Sequence, residues 1–235
     1  GVNFFDTAGV YGLGLSEIRL SQILGKRRND LVIATKGGLS WDETAKGRSE
    51  IIKDSSPQAI RRDVESSLKR LKLETLPIFY VHWPDPNTSL DHTFSELLNL
   101  KIEGKIQSIG CSNFSSKQLK IACEVCKVDY IQVPVNVVSG SLDKKISEIC
   151  SKNNIKVIAY NVLLNGLLTG KFNRKSTFPE NDRRSRLPLF KGRNFINALE
   201  RVENLKLEAA RDNKSLSKFA IEWALMQEHI SSVVI

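Results

Sequence analysis

Leu31-Val32-Ile33-Ala34-Thr35-Lys36 is an apolar run with a charge at its downstream end. It does not alternate polar and apolar positions, so it suits a strand covered on both faces, the condition of parallel sheets. Upstream, Val2-Asn3-Phe4-Phe5-Asp6 has the same form, and downstream Ile78-Phe79-Tyr80-Val81-His82 has it again. Strands are expected at 2–6, 31–36, 77–82, 106–111, 130–135, 156–160 and 231–235. Helical patterns lie between them at 16–25, 57–71, 93–103, 116–127, 143–153, 195–212 and 216–227. In the second of these, Ile60, Val64, Leu68 and Leu71 form one stripe behind Pro57. Ser16 is the expected N-cap of the first helix and Gly25 its stop. In the last helix, Phe219, Ile221, Trp223, Ala224 and Leu225 are expected to face largely inward.

Strands alternating with helices are βαβ repetition, which permits a doubly wound open sheet or a (β/α)8 TIM barrel. The polar residues at the strand ends are spread over many strands, which favours the barrel over a single crevice at a switch point. No G-x-G-x-x-G follows the first strand, and Gly12-Leu13-Gly14 is a weak phosphate signal. About seven strands can be counted where a barrel needs eight, and the chain opens and closes on a strand. The expectation is one barrel domain over residues 1–235, incomplete at both ends. It would lack the first βα unit and the segment after the last strand. The irregular stretch at about 168–194 is long for a scaffold connection and reads as a functional loop.

Composition excludes several classes. The net charge of +9 is spread along the chain, often beside acids, as in Arg61-Arg62-Asp63. That distribution does not make a nucleic-acid face. The basic run Arg183, Arg184, Arg186, Lys191 and Arg193 reads as a solvated or cofactor-facing loop. No apolar run approaches the ~20 residues needed to span a bilayer, and no signal-peptide pattern opens the chain. Cys111, Cys123, Cys126 and Cys150 include one C-x-x-C without a second ligand pair, so unpaired thiols in a reducing compartment, the cytoplasm, are expected. With only His82, His92 and His229 there is no H-x-H pair, and no metal is expected.

Chemistry gathers at the strand ends. Asp6, Lys36 and His82 each close an apolar run, and Tyr11 follows Asp6 in the same loop. A phenol has an ordinary pKa near ~10, too high for efficient proton transfer at neutral pH. A neighbouring ammonium favours the phenolate, and a carboxylate can fix that ammonium in place. An imidazole can donate a hydrogen bond to a substrate oxygen. The four together suit protonation of a carbonyl oxygen while another group attacks the carbon.

Several segments resemble the signatures of the aldo-keto reductase family. They are Asn-Phe-Phe-Asp-Thr-Ala-Gly-Val-Tyr-Gly (3–12), Ile-Ala-Thr-Lys (33–36), Tyr-Val-His-Trp-Pro-Asp-Pro (80–86), Ile-Gly-Cys-Ser-Asn-Phe (109–114), Ile-Ala-Tyr (158–160) and Gly-Leu-Leu-Thr-Gly-Lys (166–171). The resemblance runs through nearly the whole chain in order and spacing. It implies a catalytic tetrad of Asp6, Tyr11, Lys36 and His82, with Tyr11 as general acid in reduction and base in oxidation. It also implies a nicotinamide cofactor held without a Rossmann fold, NADP by family habit with NAD open. Ser112, Asn113 and Gln132 would bond the carboxamide, and Tyr160 would stack on the ring. Asn161, Leu163, Gly166 and Lys171 would lie along the pyrophosphate.

The chain departs from the family where Asn161-Val162-Leu163 replaces the usual Ser-Pro-Leu and Val135-Asn136 the usual Tyr-Asn. In the family, the segment that reads the adenosine 2′-phosphate would follow Ile235. The implied activity is interconversion of an aldehyde or ketone and its alcohol, on a small molecule rather than a nucleic acid or membrane. The alternative within the family is a cofactor-sensing regulatory protein resembling potassium-channel subunits. Loops 38–54 and 171–194 would set substrate choice.

Overall fold

A computed structural model describes residues 2–41 and 51–235 of the chain. Contacts divide it into two compact units, Gly1–Val133 with Asp143–Val157, and Pro134–Leu142 with Ile158–Ile235.

The first unit runs β1 (Phe4–Asp6), α1 (Leu15–Leu24), β2 (Val32–Gly37), β3 (Leu39–Ser40), β4 (Ile52–Lys53), α2 (Pro57–Leu71), β5 (Leu76–Val81), α3 (Leu90–Ile102), β6 (Ile106–Ser112), α4 (Ser116–Val125), β7 (Tyr130–Pro134) and α5 (Lys144–Asn153). Its sheet is parallel in the order β1-β2-β5-β6-β7, with Asp6 opposite Ala34, Lys36 opposite Tyr80, and Gly110 opposite Tyr130. One hydrogen bond shows that this sheet is not flat. Gln132 Nε2 on β7 donates to Asp6 Oδ1 on β1 at 2.9 Å. Four strand spacings of ~4.8 Å would hold those residues roughly 19 Å apart in a flat sheet, beyond the joint reach of the two side chains. The strands therefore curl, and the concave face is filled by Ala34, Ile78 and Tyr80 with Phe4 and Tyr130 beside them. Gly110 makes this packing possible, because a Cβ there would come within 2.4 Å of the Tyr80 ring.

Helix α2 forms as its pattern predicts. Ser56 Oγ accepts from Ala59 N, Pro57 opens the first turn, and Ala59, Ile60, Val64, Ser67 and Leu71 are buried. Helix α1 differs from expectation. It starts behind Gly14, which has φ 94°, so Ser16 lies inside the helix and is not its cap. The Ser16 hydroxyl instead shares a hydrogen bond of 2.9 Å with that of Thr7. This helix buries Glu17 and Ser21 and leaves Leu15, Ile18 and Ile23 exposed. The region 38–54, expected as loop, contains the antiparallel pair β3–β4, and residues 42–50 of it lie outside the described residues.

Asp63 on α2 backs the turn after β2: its Oδ2 accepts from Gly38 N at 2.9 Å. Burial pushes its pKa from the ordinary 3.8 up to about 6, against the pull of the Gly38 bond and nearby arginines. Between those values the folded chain keeps a proton that the unfolded chain has lost. Stability therefore falls as pH rises through the window, by on the order of 3 kcal/mol for a displacement of this size. Asp63→Asn keeps an acceptor for Gly38 and is expected to flatten the change. Urea unfolding from pH 4 to pH 7 checks this, and equal pH dependence in parent and variant refutes it.

The second unit takes in the end of β8 (Lys156–Tyr160), then three 3-10 turns at Leu164–Thr169, Arg183–Arg186 and Pro188–Phe190, then α6 (Gly192–Arg211), α7 (Leu216–Leu225) and β9 (Ile230–Val233). Leu164, Leu167, Leu168, Phe190, Phe195 and Val202 are among the residues of its core. The long connection is organised by an aromatic cluster. Phe178 meets Phe172, Phe190 and Phe195 edge to face at 5.1–5.8 Å. The Arg184 guanidinium lies 5.1 Å from the Phe172 ring and 4.9 Å from Phe178, and it also pairs with Asp182. Leu225, expected inside, is exposed, whereas Ala220 and Ala224 are buried. Strand β9 is shorter than the expected 231–235; beyond it, Val234 N still donates to Ala159 O at 2.8 Å.

Cys111, Cys126 and Cys150 are buried free thiols and Cys123 is half-buried, with burial raising the pKa of each. Among the described residues, no helix is long and apolar enough to cross a membrane, and no group of three or more His, Cys, Asp or Glu is placed to hold a metal ion.

Candidate active site

Because β1, β2 and β5 are parallel, their downstream ends share one rim of the first unit's sheet. Asp6 ends β1, Lys36 stands one residue from the end of β2, and His82 follows β5. Tyr11 sits in the turn between β1 and α1.

Lys36 is 2% exposed. Its Nζ donates to Asp6 Oδ2 at 2.5 Å and to Thr7 O at 2.8 Å. The other oxygen of Asp6 accepts from Gln132, so both carboxylate oxygens are engaged. Burial lowers the pKa of the Lys36 ammonium, and the charge and hydrogen bond of Asp6 oppose that fall. The ammonium lies 5.4 Å from the centroid of the Tyr11 ring. Tyr11 is 38% exposed, whereas the Tyr80 phenol nearby is wholly buried and held protonated by burial. Only Tyr11 of these two can meet a substrate.

The His82 ring meets the Tyr11 ring edge to face at 5.7 Å. Its backbone N–H donates to Gly37 O at 2.9 Å, and its buried Nδ1 has no hydrogen-bond partner among the described residues. Burial, and then the charge of Lys36, depress its pKa to about 3. The imidazole is therefore neutral at ordinary pH, with one N–H to donate.

Ser112, Asn113 and Gln132 join the same rim. Ser112 Oγ donates to Gln132 O at 3.1 Å, and Asn113 Nδ2 reaches Ser112 Oγ at 3.1 Å and His82 O at 2.9 Å. Asn113 turns the chain at φ 64°, a conformation that asparagine tolerates better than most residues. The remaining expected contacts lie in the second unit. Tyr160 ends β8, with its phenol raised in pKa by burial against the pull of Arg183. Asn161 has φ 55°, and its Oδ1 accepts from Asn165 N at 2.9 Å. Leu163 precedes the 3-10 turn that contains Gly166 at φ 87°. Lys171 Nζ lies 5.3 Å from the Phe172 ring.

Thr7, Glu17, Thr35 and Arg70 also support this rim, and the sequence reading missed them. Glu17 is fully buried, accepting from Thr35 Oγ1 at 2.6 Å and Arg70 Nε at 2.5 Å. An acid within a short helix ordinarily reads as a solvated face. The available signal was the glycines of the preceding turn, of which Gly9 and Gly14 leave room for the Arg70 side chain.

The family described as "Aldo/keto reductase family" matches residues 1–235. The aldo-keto reductase YhdN of Bacillus subtilis (strain 168) is 33% identical over 234 residues, covering 97% of this chain and 68% of that protein. The NADH-specific methylglyoxal reductase of Escherichia coli (strain K12) is 29% identical over 243 residues, covering 100% of this chain and 74% of that protein. Among solved structures, the glycerol dehydrogenase AKR11B4 from Gluconobacter oxydans superposes with a TM-score of 0.92 at 39% identity, covering 99% of this chain and 71% of that one.

Proposed function

The chain belongs to the aldo/keto reductase family, with an α/β, TIM-barrel-like fold, and from that premise we propose that it interconverts an aldehyde or ketone and its alcohol using NAD(P)H, with Tyr11 as general acid and base. One observation carries this reading. A buried ammonium, fixed by a carboxylate whose other oxygen is also bonded, lies beside the ring of a solvent-reachable phenol. An ammonium so placed favours the phenolate and so makes the phenol a better proton donor.

In reduction Tyr11 gives its phenolic proton to the carbonyl oxygen, and in oxidation it takes the proton back. His82, neutral, donates its N–H to the same oxygen and orients it. Lys36 stabilises the phenolate left after transfer, and Asp6 keeps Lys36 in place. The nicotinamide, when bound, supplies the hydride. Its carboxamide offers both a donor and acceptors, which the Ser112 hydroxyl and the Asn113 and Gln132 amides can match. Tyr160 would stack on the ring, and Asn161, Leu163, Gly166 and Lys171 would hold the diphosphate. NADP is the proposed cofactor, and the E. coli relative, named for NADH, makes NAD the second to test. The cytoplasm is the proposed compartment, on the four free thiols.

The test is cofactor oxidation by the purified chain over a panel of aldehydes and ketones with NADPH and with NADH, and cofactor reduction in the reverse direction with alcohols. Methylglyoxal, and glycerol with the oxidised cofactors, are the first probes, being the compounds named for two relatives. Carbonyl-dependent oxidation is expected. Tight cofactor binding without turnover across the panel would overturn the enzymatic reading in favour of a cofactor-sensing binding protein.

A further inference from the structure

Glu17 is a carboxylate with 0% exposure on α1, and the chemistry above does not use it. Its oxygens are taken by two other elements: Thr35 of β2 holds Oε1 and Arg70 of α2 holds Oε2. Thr35 is the residue before Lys36. The same Arg70 underlies the turn that carries Tyr11. A Cβ on Gly9 would come within 3.2 Å of Arg70 Nη2, and one on Gly14 within 2.9 Å of Arg70 Cδ. The turn is also bonded to β2, where Thr7 N donates to Ala34 O and Gly9 N to Lys36 O. The turn thus lies on Arg70 at both of its ends. Arg70 is held by Glu17, and Glu17 is tied to the strand that delivers Lys36.

We infer that Glu17 and Arg70 are positioning residues that set the placement of the Tyr11 phenol against the Lys36 ammonium. The inference rests on Tyr11 being the proton donor. A buried ion pair can also serve stability alone, so the test must read more than folding. Arg70→Met keeps the aliphatic stem and removes the guanidinium. Gly9→Ala leaves Glu17 and Arg70 chemically unaltered and forces the turn and the Arg70 guanidinium apart by a few tenths of an ångström, because 3.2 Å is a tight contact for a Cβ.

For Gly9→Ala, kcat is expected to fall about tenfold or more, since a sub-ångström misplacement of a reacting group is costly, while KM and cofactor Kd change less than about twofold. The alkaline limb of the kcat pH profile for reduction is expected to move to higher pH, as the phenol loses the influence of the ammonium. Arg70→Lys is expected to recover part of the activity that Arg70→Met loses. If Arg70→Met does not fold, Gly9→Ala decides. An unchanged kcat and pH profile in folded Gly9→Ala overturns the inference, as does a loss that merely tracks the folded fraction. With Tyr11→Phe inactive, either result sinks the positioning role alone. Full turnover by Tyr11→Phe sinks the functional reading and this inference with it.

Discussion

Tyr11→Phe is expected to lower kcat by about 10²–10⁴-fold while cofactor Kd stays within about twofold of the parent. The substitution removes one oxygen and keeps the ring, so the edge-to-face contact with His82 and the contact with Lys36 persist. What is lost is the proton that, on the proposed function, neutralises the developing alkoxide. Among the described residues, no nearby group stands ready to replace it. Tyr80 is sealed within the concave face and held protonated by burial, and His82 is kept a neutral imidazole at ordinary pH by burial and the charge of Lys36. Single-turnover kinetics beside fluorescence titration of NADPH separates the two quantities. Comparable kcat in the variant would refute general acid catalysis by Tyr11, and an equal fall in kcat and cofactor affinity would show that the hydroxyl is needed for binding.

Lys36→Met is expected to remove activity and stability together. Methionine fills the volume of the lysine stem but leaves Asp6 buried with, among the described residues, only the Gln132 amide for a partner. Breaking one side of a buried ion pair costs about 3–5 kcal/mol because the remaining charge is uncompensated. Adding Asp6→Asn removes that charge, so the double variant is expected to regain most of the stability and none of the turnover. Denaturant unfolding of the parent, both single variants and the double variant gives the cycle. A double variant no more stable than Lys36→Met would show that the loss comes from packing, not from charge.

The shared rim of Asp6, Lys36 and His82 was legible because each strand announces itself as an apolar run and delivers its polar residue at the downstream end. Asp6, Lys36 and His82 needed only that the strands be parallel, and the continuous apolar runs required it. The curl of the sheet was not legible in the same way. It is shown by the bond between Gln132 and Asp6, residues 126 apart in sequence, and no local pattern encodes that pairing. The support beneath Tyr11 was hidden for the opposite reason. Glu17 sits on a helix whose apolar residues Leu15, Ile18 and Ile23 would ordinarily mark the inward face, and here those residues are exposed. Burial of the acid is possible only because Arg70 and Thr35 meet it from other elements, so its reading depends on tertiary structure. Ser16 was misread as a cap because cap preference is a statement about side-chain oxygens, and a glycine at φ 94° can open a helix without one.

Asp6 has two oxygens and two duties. One fixes the ammonium that lies beside the Tyr11 ring, and the other fastens the first strand of the curled sheet to the fifth. The same side chain therefore answers to two selective pressures of different kinds. A lineage released from the need for turnover can discard Tyr11, a partly exposed side chain on a turn, with little harm to folding. It cannot discard Asp6 so easily. In descendants of such a chain, an aspartate kept at this strand end beside a vanished tyrosine would mark a retired enzyme whose architecture outlived its chemistry.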